Sequence, residues 1–268
     1  MNLAYRTRKN AEAVAKIYNK PLDKPDWFKI TAKDEASEIL IYDYVGWPFN
    51  DPRDLISSLA EMDSVTVRIN SPGGDVFDGM AIYNALSSHK GIVTTRADGL
   101  AASMASVLMM AGKKREAYDN AMIMIHNSRA YPGFGSAEDF KEIIDLLEKV
   151  DGNILNIYHE KSETGKRELA DMMKAETWMT SKEAREKGFI DSIIDGKGTK
   201  ANFDLSIFAN VPDALINDEE LTERDAEKAL RDVGFSRSKA KAMLAGRQHD
   251  ETKELQAVLK KTISIIGG

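Results

Sequence analysis

The sequence predicts an α/β fold in which repeated βα units build a largely parallel sheet, with a protruding long helix and a small C-terminal helical module. Three observations carry that prediction. Short runs rich in β-branched residues, at 38–45, 64–69 and 92–97, alternate over short links with segments of helical spacing. One apolar face is then kept for about 25 residues, from 137 to 161, longer than a small domain needs for itself. Past a polar hinge at 197–200 the pattern turns wholly helical. The expected organisation is an N-terminal arm (1–25), a main domain (26–196) and a linker with the helical module (197–268).

In chain order, Pro21 and Pro25 end any helix begun at 11–18, so the arm reads as a flexible or partner-ordered extension. Trp27, Phe28 and Ile30 open the apolar content, and 38–45 reads as a strand. Asn50, Asp51 and Pro52 form a helix start, followed by Leu55, Ile56 and Leu59 at amphipathic spacing. The strand at 64–69 runs into Asn70-Ser71-Pro72-Gly73-Gly74, where the glycines free the backbone to turn sharply. Met80, Ile82, Tyr83 and Leu86 then give a helix over 78–88.

The strand at 92–97 leads to a helix over 101–111 made mostly of small and apolar residues, and 121–125 is a compact strand. After a loop at 130–135, Ser136 and Asp139 form the capping box that starts the long helix. Two short helices follow, 166–173 and 181–187, the second stopped by Gly188, before a last strand at 189–194. Beyond the hinge, Thr222 and Ser236 cap the two helices of a hairpin too small to be stable alone. Leu255, Val258, Leu259 and Ile263 form a final amphipathic run that could dock on it.

Composition removes several classes of chemistry. The 268 residues contain no cysteine, which excludes disulfides, thiol catalysis and thiolate metal sites. The four histidines (His89, His126, His159 and His249) show no metal-binding spacing, so no metal and no cofactor is expected. A formal charge of −6 disfavours a nucleic-acid binder, and no apolar stretch reaches the roughly 18–20 residues of a membrane span. The N-terminus lacks an apolar segment after its basic residues, so a cytoplasmic protein is expected.

The chemistry concentrates between Ile69 and Asn127. Ser103 precedes a helical run, where its hydroxyl can meet a base and the Met104 amide can face a developing oxyanion. Taken alone, such a serine is more often a helix cap, and Ser106, one turn further in, reads as packing. His126 ends an apolar strand, and an imidazole with an ordinary pKa of about 6.5 suits a general base near neutrality. Gly73 and Gly74 can bring backbone amides against a substrate carbonyl. A carboxylate is needed to orient the histidine, and residue chemistry leaves Asp171, Glu176, Glu183 and Asp191 open.

From Trp27 to Ile194 the chain resembles the ClpP family of self-compartmentalising serine peptidases. The matching motifs are Asn-Ser-Pro-Gly-Gly at 70–74, Gly-Leu-Ala-Ala-Ser-Met-Ala at 99–105, Met-Ile-His at 124–126 and Ser-Lys-Glu-Ala-Arg-Glu-Lys-Gly-Phe-Ile-Asp at 181–191. The resemblance implies a ClpP/crotonase-like fold, Ser103 as nucleophile, His126 as base, and the amides of Gly74 and Met104 as oxyanion hole. It points to Glu176, ahead of Trp178, as the acid, where the housekeeping pattern has Asp. It further implies that Gly73 and the segment with Ser128, Arg129, Tyr131, Gly133 and Phe134 receive an extended peptide. The long helix would interlock subunits of a homo-oligomer, a heptameric ring or stacked rings.

The short arm, the Ser-Pro-Gly-Gly-Asp-Val-Phe-Asp-Gly form of the first motif and the extra C-terminal module look similar to ClpP-related proteases of tailed phages and prophages. That likeness implies cutting of capsid or scaffold protein during head maturation, in the host cytoplasm or inside an assembling procapsid. The alternatives are a degradation peptidase partnered by an ATPase, a crotonase-type acyl-CoA enzyme, and a catalytically dead structural ring protein.

Overall fold

A computed structural model describes residues 8–17, 22, 27–33, 36–130, 134–196, 203–212 and 215. Its centre is the strand β4 (Val93–Ala102), whose two halves have different neighbours. Thr94 to Ala97 pair with β5 (Lys114–Tyr118), whereas Leu100 to Ala102 pair with β6 (Met122–Ile125). The sheet therefore forks along β4. On its other side lies β3 (Val65–Ser71), then β2 (Ala36–Ile41) and β1 (Phe28–Lys33). Past β5 stands β8 (Ser192–Ile194), and β7 (Thr177–Thr180) closes the other branch on β6. Only β1–β2 and β6–β7 are antiparallel; the remaining named pairs are parallel, as short βα links require.

Burial along the strands explains their sequence. β3 and β4 begin with alternating buried and partly exposed residues, then become continuously buried. The first halves read as one-sided strands, and the second halves are covered on both faces. The cover comes from α2 (Arg53–Leu59), α3 (Val76–Ser87) and α4 (Met104–Met109). Ile39, Ile41, Ile69, Leu55, Ile82, Leu100 and Leu108 are wholly buried, each stabilising the fold by roughly 1.5–3 kcal/mol relative to exposure. Between the halves of β3 and β4, Asn70 accepts a hydrogen bond from the Leu100 amide at 3.1 Å, beside a register shift at Ile69/Ser71. The asparagine of the first motif thus ties the glycine turn to the central strand.

Three expectations are corrected. The strand expected at 92–97 continues to Ala102, and the helix expected from 101 starts only at Met104. Pairing carries the strand through both alanines: Ala101 pairs with Ser71 and Ile123, and Ala102 with Met124. The last strand is confined to Ser192–Ile194, because the Phe189 amide still bonds back to the Ala184 carbonyl of α7 (Ser181–Glu186). The strand expected over 38–45 ends at Ile41, and Val45 makes only an isolated bridge to Gly74.

The long helix is α5 (Ala137–Lys161), with the Ser136–Asp139 capping box at its start. Its buried residues, Ile154, Ile157 and Tyr158, all lie in the second half. The first half carries Phe140, Ile144 and Leu146 in exposed positions. α6 (Lys166–Lys174) follows it, and in the N-terminal arm α1 (Arg8–Ile17) is a helix. The chain divides into two compact units, Met1–Val211 and Pro212–Gly268. The helical hairpin and the final amphipathic run expected in the second unit lie outside the described residues. Among the described residues no helix is long and apolar enough to cross a membrane.

Candidate active site

The cluster arises from strand register. β4 and β6 pair Ala102 with Met124, and β6 and β7 pair Ile125 with Thr177. Extending each strand by one residue brings Ser103, His126 and Glu176 to the same edge. Both outer members sit in the left-handed region: Ser103 at φ 55° and Glu176 at φ 52°. Such backbone costs about 1–3 kcal/mol per non-glycine residue and persists where the surroundings enforce it. At Ser103 the enforcement comes from its amide, which bonds the Met124 carbonyl at 2.9 Å.

Ser103 occupies the N-cap of α4 yet makes no side-chain cap bond. Its Oγ lies instead 2.7 Å from His126 Nε2. The helix-cap reading of this serine therefore fails. Ser106 behaves as packing: wholly buried, it bonds the Ser103 carbonyl at 2.6 Å and the Tyr158 hydroxyl at 2.8 Å.

The glycine turn packs directly on this serine. A Cβ added to Gly73, whose φ is +97°, would lie 2.7 Å from Ser103 Cβ and 2.9 Å from the Met104 amide nitrogen. Only a residue without a side chain allows that approach. The carbonyl of Gly73 and the amide of Asp75 are bonded to Val45, which leaves the intervening Gly74 amide on the opposite side of the turn. Asp75 then caps α3 by accepting from the Asp78 amide at 2.9 Å.

Of the four carboxylates left open by residue chemistry, two are engaged elsewhere and a third is exposed. Asp171 is exposed on α6, Glu183 forms the capping box of α7 with Thr180, and Asp191 pairs with Arg115 at 2.6 Å. Glu176 is buried, and its charge acts on His126. It does not hydrogen-bond the imidazole. His126 Nδ1 is buried with no partner among the described residues. Glu176 Oε2 accepts from Arg129 Nη2 at 2.5 Å and from the Ala209 amide at 3.0 Å. Its Oε1 accepts from the Asn210 amide at 2.7 Å and Trp178 Nε1 at 3.4 Å.

These contacts set the electrostatics. Burial, reinforced by the Arg129 charge and only partly opposed by Glu176, pulls the His126 pKa down to about 4. The ring is therefore neutral and able to accept a proton at pH 7. Burial pushes Glu176 upward, but the Asn210, Ala209 and Trp178 hydrogen bonds and Arg129 outweigh it, so its pKa falls below the usual carboxylate value. Phe208 completes the wall, its ring 5.5 Å from the His126 ring and 5.7 Å from Trp178, both edge-on.

The expected peptide-receiving residues divide. Ser128 is tied to α5, its amide donating to Asp151 Oδ1 at 2.7 Å. Arg129 is bound to Glu176 and to the Ile207 carbonyl, and Phe134 is fully exposed. Tyr131 and Gly133 lie outside the described residues. Sequence reasoning missed the contribution of residues 207–210, which fall in the stretch read as linker. The available signal was a local cluster of apolar residues, Phe203, Leu205, Ile207 and Phe208, in otherwise polar surroundings. No group of three or more His, Asp or Glu among the described residues could hold a metal ion.

Comparison with known proteins shows the family. Residues 55–197 match the Clp protease family. The ATP-dependent Clp protease proteolytic subunit of Deinococcus radiodurans is 34% identical over 163 residues, covering 57% of this chain and 79% of that protein. The corresponding subunit of Bacteroides fragilis is 34% identical over 132 residues, 48% of this chain and 63% of that protein. That of Bacteroides thetaiotaomicron is 33% identical over 132 residues, 48% of this chain and 60% of that protein. The chain thus spans under two-thirds of the Bacteroides proteins and about four-fifths of the Deinococcus one. It belongs to the Clp protease family, a class of serine-type endopeptidases.

Proposed function

We propose that this protein hydrolyses peptide bonds through an acyl-enzyme on Ser103, with His126 as general base and Glu176 as the acid that orients it. The observation that carries the reading is the 2.7 Å contact between Ser103 Oγ and His126 Nε2, beside the Gly73-Gly74 turn. His126 Nε2 takes the Ser103 proton as Oγ attacks the substrate carbonyl carbon. The amides of Gly74 and Met104 receive the resulting oxyanion. The imidazolium then protonates the leaving amine nitrogen, the C–N bond breaks, and the acyl group remains on Ser103. Water, deprotonated by His126, attacks this ester and restores the serine.

The comparisons favour an ATPase-partnered degradation peptidase, because the similar proteins are by name ATP-dependent proteolytic subunits. Capsid or scaffold processing rests on the form of one motif and the extra C-terminal module, and it yields to that reading. Homo-oligomerisation through the first half of α5 fits the exposed Phe140, Ile144 and Leu146. The Ser–His contact weighs against both a dead ring protein and a crotonase-type acyl-CoA enzyme.

The test is fluorophosphonate labelling followed by peptide mapping, with casein hydrolysis measured with and without a co-purified ATPase and ATP. Label on Ser103, absent in Ser103→Ala, is the expected result. Full peptide turnover by Ser103→Ala would overturn the assignment. Cleavage of a few defined sites in a capsid precursor without ATP would restore the maturation reading.

A further inference from the structure

Glu176 is fully subscribed by groups other than His126. An ionised carboxylate offers about four acceptor positions. Arg129, Trp178 and the amides of Ala209 and Asn210 supply four donors, two to each oxygen. His126, on whose ring the Glu176 charge acts, has its Nδ1 buried with no partner among the described residues. A buried donor left unmade costs about 1–3 kcal/mol, which favours a bond from Nδ1–H to the carboxylate once an acceptor position is free.

Two of the four donors come from one short segment. Residues 207–210 also give the Ile207 carbonyl to Arg129 Nη1 at 2.5 Å and the Phe208 ring to His126 and Trp178. Asn210 Nδ2 anchors the segment further by donating to the Ala175 carbonyl at 2.9 Å. Phe208 and Leu205 are buried, and Phe203 sets its ring against Tyr44 at 6.2 Å. The segment thus offers a backbone carbonyl, two backbone amides and an aromatic side chain beside the Ser103–His126 pair. Those are the groups an extended peptide presents when it pairs through its main chain.

We propose that residues 203–210 are a cis-acting autoinhibitory strap that lies over the reactive cluster as an internal peptide and withholds Glu176 from His126. This rests on the Ser103–His126–Glu176 reading above. A peptide substrate competes with the strap for Arg129 and the ground beside His126. Its arrival strips the Ala209 and Asn210 amides from Glu176 and frees one acceptor position on each oxygen. Glu176 then accepts from His126 Nδ1–H, which fixes the tautomer with Nε2 free to accept the Ser103 proton. Ser103 is in place before substrate comes, and the acid is the part that is switched.

The experiment uses the full chain. Hydrogen exchange is followed at the Ala209 and Asn210 amides with and without a peptide boronic acid on Ser103, alongside fluorophosphonate labelling rates for wild type, Phe208→Ala and Ala209→Pro. Both amides should be protected in the free protein and exchange faster with the boronic acid bound. If the strap is closed nine-tenths of the time, both variants should label about 10-fold faster than wild type. Amides that stay protected with inhibitor bound, at equal labelling rates, would remove the strap and leave the peptidase standing. A folded Phe208→Ala that labels more slowly would mean that the segment supports the site, which also overturns the proposal. No label on Ser103 in any of the proteins would instead remove the nucleophile assignment itself. Where labelling and exchange diverge, or a variant fails to fold, exchange in the wild-type protein decides.

Discussion

The guanidinium of Arg129 holds the Glu176 carboxylate at 2.5 Å, and that same positive charge depresses the pKa of His126. Arg129 therefore acts on two members of the cluster at once. It holds the Glu176 carboxylate and adds to the burial that keeps His126 neutral.

A pH profile exposes this double action. A base whose pKa is about 4 loses its activity only as pH falls through that value. Removing the charge with Arg129→Gln relieves one of the two depressing causes and leaves Glu176 to raise the value, so the pKa climbs toward the ordinary 6.5 or so. The acid limb of kcat/KM should therefore move upward in the variant. An unchanged limb in a folded variant would show that burial alone sets the base.

Ser103 and Ser106 make a matched pair of tests. Ser103→Ala should lose kcat/KM by on the order of 10⁴-fold or more with thermal stability retained. Ser106→Ala should keep Ser103 labelling but lose about 1 kcal/mol of stability, because the buried Tyr158 hydroxyl loses its bond to that serine. Denaturant titration and labelling separate the two.

Glu176→Gln keeps the shape of the acid and removes its charge. The expected result is a fall in kcat of roughly 10²- to 10⁴-fold with little change in KM, since the orienting role belongs to the transition state. A variant with wild-type kcat would return the search for an acid to the other carboxylates.

Gly73→Ala forces a Cβ to within 2.7 Å of Ser103 Cβ at a φ of +97°. A loss of about 1–3 kcal/mol is expected. The Ser103 labelling rate should fall as well, because the displaced atoms are those of the nucleophile turn. Thermal melts and labelling kinetics check both.

The candidate site was legible in the sequence where its residues lie in local motifs. The Pro-Gly-Gly turn, the serine after a small-residue strand and the histidine after Met124-Ile125 each carry their signal within a few residues, and strand pairing brings them together. What escaped is non-local or disguised. β5 reads Lys-Arg-Glu-Ala-Tyr, too charged to resemble a strand, because Glu116 is buried against Arg96 and Lys114. β7 is four residues long and preceded by a glutamate in left-handed backbone, so no alternating pattern develops. The alanines at 101–102 favour helix by themselves, but pairing with Ser71 and β6 overrides that preference and delays α4 to Met104. The grip of Ala209 and Asn210 on Glu176 uses backbone amides, which leave no mark on residue identity.

The fork in β4 has one more consequence. Because its upper half carries the serine and its neighbour β6 the histidine, with β7 next in line, every atom of the cluster is drawn from a single polypeptide. The Ser103–His126 contact is thus formed inside one chain, by the branching of one strand.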